Sequence, residues 1–265
     1  MKIPWFNRNS TKGAPVEDGM EEAARLLAEQ KEAVALTGAG ISVDSGIPAF
    51  RGAQGLWERY DPMEYASIEA FRADPAKVWG MLVELDRLVR EARPNPAHLA
   101  LARLEELGVL TSVVTQNIDG LHQAAGSRHV VEFHGSGRRL VCLDCGRQVG
   151  RGELMEGELP PRCACGGLIK PDVVFFGEPI PERPALTAFA VASSCKVMLV
   201  VGTSAVVAPA SQLPELAKRS GAKVVEINPE RTHLSAGTSD HVIEAKASEA
   251  LPRLVREVER LVGAG

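Results

Sequence analysis

The stretch Ala33-Val34-Ala35-Leu36-Thr37-Gly38-Ala39-Gly40-Ile41-Ser42 decides the fold. Four apolar residues in a row, with no polar alternation, read as a strand buried on both faces, which is the habit of parallel sheets. The glycines that follow carry no Cβ, so the backbone N–H groups of a helix start can approach a pyrophosphate. Strand, glycine turn and helix start together open a nucleotide-binding α/β unit. The loop by itself is ambiguous. The third glycine of the usual dinucleotide fingerprint would fall on Val43 and the next glycine is Gly46, so a plain structural turn stays open.

Outward from this unit the alternation continues. Glu17 to Gln30 has helical composition. Thr111–Thr115, Val130–Phe133, Val197–Val201 and Lys223–Ile227 read as further buried strands, and 97–107, 209–220 and 249–261 as helices. Asp74-Pro75 starts another helix, with Asp as N-cap and Pro in the first turn; Val78, Leu82, Leu85 and Val89 keep helical spacing along it. From Ala49 to about Met63 the pattern dissolves into a long loop that can close over a ligand. The expected fold is α/β: a Rossmann-like doubly wound parallel sheet with a small domain. Its segments are a polar tail (1–18), a nucleotide-binding domain (19–48, 94–137 and 170–265), a loop and helical module (49–93) and a cysteine-bearing module (138–169).

At 265 residues and 45% hydrophobic content the chain can bury a sizeable core. A net charge of −4 and a pI near 5.9 give no attraction to nucleic acid or to acidic membrane surfaces. Met1 to Asp18 has no apolar signal region, and Val197 to Ala210 is broken by Gly202-Thr203-Ser204 and falls short of the roughly 18 to 20 residues a membrane span needs. A cytoplasmic protein without membrane contact is expected, as a monomer. Of five cysteines, Cys142 and Cys145 form a CxxC pair and Cys163 and Cys165 a CxC pair, 17 residues apart, which suits one structural zinc in a reducing compartment. The second pair is one residue shorter than the usual knuckle. Cys195 has no companion and reads as a small core residue.

Four segments would collect at the carboxyl ends of the strands, where such sheets bind ligands: Gly38–Ser42, Gly46–Gly52, Gln116-Asn117-Ile118-Asp119 and His134-Gly135. Of six histidines, His134 alone ends a buried strand before a glycine, and its ordinary pKa of about 6.5 suits proton removal near neutral pH. His98, His122 and His129 read as packing or surface residues.

Gly38-Ala39-Gly40-Ile41-Ser42 together with Ser45-Gly46-Ile47-Pro48-Ala49-Phe50-Arg51-Gly52, Gln116–Asp119 and Phe133-His134-Gly135 resembles the sirtuins, the NAD-dependent protein-lysine deacylases, in their bacterial-type form. The resemblance covers about residues 20 to 265. It implies a Rossmann-like domain and a small domain made of a zinc ribbon and a helical insertion. It also implies NAD as co-substrate, held by Gly38, Ala39, Gly40, Ile41, Ser42, Ile47, Pro48, Phe50, Arg51, Trp57, Gln116, Asn117, Ile118 and Asp119, with Gly202, Thr203, Ser204, Asn228, Glu230 and Ala247 on the adenosine side. His134 becomes the general base, with Asn117 and Asp119 as catalytic partners. Val173, Val174, Phe175, Phe176, Gly177 and Glu178 become contacts to an acyl-lysine peptide, alongside His134. Cys142, Cys145, Cys163 and Cys165 become the zinc ligands. Ala49 departs from the Asp or Thr common in relatives. Leu82 and Leu85 stand where succinyl-preferring relatives carry Tyr and Arg, so acetyl and other neutral acyl groups are expected to be preferred.

On these residues an NAD-linked dehydrogenase would need a substrate half that the cysteine excursion displaces, and a zinc-ribbon binding module would not need Gln116, Asn117, Asp119 and His134 together. A mono-ADP-ribosyltransferase shares the first chemical step and stays the nearest alternative.

Overall fold

The computed structural model describes residues 16–50, 55–149 and 159–263. Among them run nine strands: β1 (Ala33–Thr37), β2 (Leu110–Thr115), β3 (Val130–Glu132), β4 (Gly135–Cys142), β5 (Gln148–Val149), β6 (Ile169–Val173), β7 (Val197–Val201), β8 (Lys223–Asn228) and β9 (His241–Glu244). Six form one sheet in the order β3-β2-β1-β7-β8-β9, every pairing parallel. The chain steps outward from β1 to β3, then returns beside β1 at β7 and steps outward the other way. The order therefore reverses around β1, and the crevice where a doubly wound sheet binds ligands lies at the carboxyl ends of β1, β2 and β7.

Side-chain alternation explains why the sheet is covered twice. Ala33 and Ala35 face a layer built by the Val16–Gln30, Pro96–Glu106 and Ala247–Gly263 helices, with Leu27, Leu101, Leu104, Leu251 and Leu254 in contact. Val34 and Leu36 face the opposite layer, where Ala188 and Ala192 of the Glu182–Ser194 helix meet Leu213 and Ala217 of the Leu213–Arg219 helix. All five residues of β1 and all five of β7 are buried, which accounts for their unbroken apolar sequence.

The two excursions share a third core. Ile68, Phe71, Val78 and Trp79 of the helical insertion pack on Leu140, Ile169, Val173 and Phe175, and the Trp79 indole N–H donates to the Ile169 carbonyl at 3.0 Å. Here lies the second sheet, β5-β4-β6, antiparallel.

Several local expectations change. The loop drawn from Ala49 to Met63 holds one-turn helices at Leu56–Arg59 and Pro62–Tyr65, followed by Ile68–Ala73. Asp61 and Ser67 cap the last two by accepting from the N–H groups of Met63 and Ala70, and elements this short show no periodicity. After β1 the chain forms a 3₁₀ helix over Ala39–Ser45 rather than an α-helix. β4 and β6 extend across the cuts drawn at 138 and 169, so Gly135–Gly137 and Lys170–Val173 belong to the small sheet. The segment 173–178 has the composition of an edge strand, yet β6 stops at Val173, and the residues that follow turn toward the helical insertion, where Phe176 bridges to Ser67. Among the described residues no helix is long and apolar enough to cross a membrane.

Candidate active site

A cavity of about 740 Å³ opens at the carboxyl ends of β1, β2 and β7 and reaches under the small module. Gly38, Ala39, Gly40, Phe50, Trp57, Gln116, Asn117, Ile118, His134, Gly202, Thr203, Ser204, Asn228 and Glu230 line it, as does the whole run from Val173 to Glu178. Most of the sequence-predicted residues thus meet in one place. Arg51 and Gly52 lie outside the described residues.

The glycines are required by contact. Gly40 N–H donates to the Gly202 carbonyl at 2.8 Å, and a Cβ on Gly40 would stand 2.7 Å from that oxygen. A Cβ on Gly38 would stand 2.6 Å from the Thr203 side chain. The loops after β1 and β7 can therefore close on each other only with glycine at these places, which leaves an open backbone cradle beside the cavity.

Ile41, Ser42, Ile47, Pro48, Asp119 and Ala247 do not reach the cavity wall. Ser42 and Asp119 stand behind it instead: the Ser42 hydroxyl donates to the Asp119 carboxylate at 2.8 Å, and the other carboxylate oxygen accepts from Leu121 N–H at 2.9 Å. Asp119 therefore braces the turn from behind the cavity wall. Asn117 bridges the two layers. Its amide nitrogen donates to the Gly38 carbonyl and to Ser42 Oγ, both at 3.1 Å. This fixes its Oδ1 as a buried acceptor without a partner in the cavity wall, a group that a ligand N–H or O–H can satisfy.

His98 and His122 pack as expected, yet both are wired into this network. His98 Nδ1 accepts from Asn95 N–H at 3.3 Å, which leaves Nε2–H to donate to Ser42 Oγ at 3.4 Å. The Thr37 hydroxyl donates to Thr115 at 2.9 Å, so His122 Nε2–H donates to Thr37, also at 2.9 Å. Desolvation holds both rings neutral, lowering His98 to about 4 and His122 to about 3. His129 is on the surface, bonded to Glu105 at 2.7 Å.

His134 has the geometry of a base. Its Nδ1–H donates to the Gln116 carbonyl at 3.1 Å, so Nε2 keeps its lone pair. Burial lowers its pKa below the ordinary histidine value, and the bond to Gln116 offsets this only in part. The imidazole is consequently neutral, and able to take a proton, at neutral pH.

The far wall is apolar. Leu56, Ala66, Met81, Leu82 and Leu85 of the helical insertion line it with Ile118 and Phe175. Phe50 stacks on Trp57 at 5.2 Å, and Trp57 in turn lies 6.5 Å from Phe176. Of the module's residues, Phe50, Leu56 and Trp57 carried a signal in the motifs they belong to, and Leu82 and Leu85 in their place on an amphipathic helix. Ala66 and Met81, like Ile180 and Pro209 elsewhere in the wall, carried none, because only the docking of separate segments puts them there.

The four cysteine sulfurs lie within 4.8 Å of one another, with Cys142–Cys165 at 3.6 Å and Cys145–Cys163 at 3.8 Å. Four thiolates about 2.3 Å from a zinc ion in a tetrahedron stand ~3.8 Å apart, so the set fits one structural zinc. The short CxC pair closes because Gly166 takes φ +89° and its N–H donates to the Cys163 carbonyl at 2.8 Å. A Cβ on Gly167 would stand 2.7 Å from Cys142 Sγ. Cys195 is a buried core residue, its thiol pushed up to about 11 by desolvation.

Residues 38–209 match the model of the Sir2 family. The chain belongs to the Sir2 family. It is 52% identical over 238 residues to "NAD-dependent protein deacylase 2" of Pyrobaculum aerophilum, covering 89% of this chain and 95% of that relative. A solved Sir2 homologue–NAD complex has a TM-score of 0.85 at 44% identity, over 91% of this chain and 94% of the other. A Sir2 protein bound to a myristoylated histone peptide has a TM-score of 0.79 at 42% identity, over 94% and 100%. These sirtuins do not bear out the bacterial-type side of the resemblance.

Proposed function

We propose that this sirtuin is an NAD-dependent protein-lysine deacylase, which moves the acyl group of a modified lysine to ADP-ribose with release of nicotinamide. The observation that carries the reading is His134. It is a half-buried neutral imidazole whose Nε2 is free, placed between a polar wall with the orphaned Asn117 Oδ1 and an apolar wall that can take an acyl chain. NAD, when bound, supplies the ribosyl carbon from which nicotinamide leaves. The backbone at Gly38, Gly40 and Gly202 and the side chains of Gln116 and Asn117 would hold it, with Asn228 and Glu230 farther along the same cavity.

The chain's own groups divide the work. Asn117 Oδ1 accepts from a ligand hydroxyl or amide and orients it. His134 Nε2 takes the proton of a ribose hydroxyl, and the imidazolium is stabilised by the Gln116 carbonyl at Nδ1. Val173 to Glu178 flank the lysine side, and Phe50 and Trp57, stacked together and reaching Phe176, would cover the adjoining cofactor and shield the site from water.

Leu82 and Leu85 support a preference for acetyl and other neutral acyl groups over succinyl. A carboxylate among Met81, Leu82, Leu85 and Ile118 would be buried without a cation, which is costly. The four closely set thiols fit a reducing compartment, and we place the enzyme in the cytoplasm. The relatives give no support to the ADP-ribosyltransferase alternative. Incubation with NAD and an acetylated peptide tests the reading. Nicotinamide released with free lysine, and without the absorbance of NADH, is the expected result; NADH formation or no release refutes it.

A further inference from the structure

Lys170 takes no part in the chemistry above, yet its ammonium is shut inside the small module with 6% of the side chain exposed. A buried ammonium persists only where several groups satisfy it. Its Nζ donates to the Val173 carbonyl at 2.6 Å and the Pro171 carbonyl at 3.2 Å, stands 3.0 Å from Glu178 Oε2 and lies 4.7 Å from the centre of the Phe175 ring. Glu178 Oε2 also accepts from Phe175 N–H at 2.9 Å. One cation thus grips the beginning, middle and end of the segment that forms a wall of the cavity.

That segment needs holding, because β6 ends at Val173 and supplies no ladder beyond it. On its other side Phe176 N–H donates to the Ala66 carbonyl at 2.8 Å and Ile68 N–H to the Phe176 carbonyl at 2.9 Å. Val174 N–H donates to the carbonyl of His134 itself at 2.9 Å. A shift of the segment therefore acts on the peptide side of the cavity, whereas the cradle at Gly38, Gly40 and Gly202 is anchored separately on the large sheet.

We propose that Lys170 is a positioning residue for the acyl-lysine substrate: through Val173, Phe175 and Glu178 it sets the wall on which the peptide docks. The proposal rests on the deacylase reading and adds to it that peptide affinity, and not cofactor affinity, depends on this ammonium.

The test uses the full chain with its zinc. Dissociation constants for an acetylated peptide and for ADP-ribose are measured for the wild type, Lys170→Met and Lys170→Arg, with steady-state kcat and peptide KM alongside. Lys170→Met is expected to raise the peptide Kd and KM tenfold or more, with the ADP-ribose Kd within twofold of wild type and kcat less affected than KM. Lys170→Arg, which keeps a buried donor cation, is expected to stay within threefold for the peptide. Unchanged peptide affinity in folded, zinc-loaded Lys170→Met, or equal weakening of both ligands, overturns the proposal. Should that variant not fold, Glu178→Gln keeps an oxygen in place but removes the counter-charge; it must weaken peptide alone by at least threefold, and an unchanged Kd there overturns the proposal as well. A wild-type enzyme that releases no nicotinamide from NAD and acetylated peptide refutes the deacylase reading itself. Normal wild-type turnover with an indifferent lysine refutes only the role of Lys170.

Discussion

The two walls of the cavity are held by different means. The polar wall grows from turns at the ends of a six-stranded sheet, and its side chains are locked from behind by Thr37, Ser42, His98, Thr115, Asp119 and His122. The apolar wall comes from an insertion helix and a loop resting on a three-stranded sheet whose outer strand β5 has two residues. A sheet that small depends on its surroundings: the helical insertion packs on it and four convergent cysteines staple it. On the deacylase reading, the groups proposed to act on bonds stand at the ends of the large sheet, whereas those proposed to select acyl group and peptide sit on an excursion that a few substitutions can reshape.

The sharpest break of this contrast is on the polar wall. Removing the base with His134→Ala should lower turnover by about 10²- to 10⁴-fold on every acyl group, with folding intact. Single-turnover nicotinamide and product formation by this variant check it, and near-wild-type turnover refutes the base. A change on the apolar wall should instead be selective. Acetylated peptide should exceed its succinylated twin by about 10²-fold in kcat/KM, since an unpaired buried carboxylate costs about 3 kcal/mol. Leu82→Tyr with Leu85→Arg should narrow that ratio by about tenfold. Equal use of the two peptides by the wild type removes Leu82 and Leu85 from the acyl site.

Loss of the metal should act on one wall only. Metal analysis should find one zinc per chain, and Cys142→Ser should loosen the small module and weaken peptide binding more than ADP-ribose binding. Active, carefully purified protein without metal would falsify the zinc assignment.

The last effect is on pH. His98 and His122 have folded pKa values near 4 and 3, below the unfolded value of about 6.5, so in that window the unfolded chain binds more protons. Their contribution is fully present above pH 6.5 and is lost as pH falls, at up to about 1.4 kcal/mol per pH unit for each ring. Urea unfolding midpoints from pH 7 to 4 measure the slope. His134 is likewise lowered, so kcat/KM should hold through pH 6.5 and fall only on its acid side. An acid limb centred above 6.5 contradicts a desolvated base.

Motifs whose meaning is local were legible. Ala33–Leu36 could only be a doubly buried strand, Asp74-Pro75 could only begin a helix, and His134 stood out by its strand end. The partners of Asp119 were not legible, since sequence puts it beside Asn117 without telling that its carboxylate accepts from Ser42 while the Asn117 amide donates to Gly38. His98 and His122 looked inert for a related reason: their partners, Ser42 and Thr37, are 56 and 85 residues away.

The sequence by itself determined the parallel sheet and the four cysteines that converge on one zinc site, because hydrophobic period and metal spacing are properties of short segments. Only the tertiary structure decided that Leu82, Leu85, Phe175 and Trp57 share one cavity, and that Lys170 stands beneath its wall. Those contacts join elements far apart in the chain, and they exist only once two excursions pack into a common core around Trp79 and the cysteine cluster.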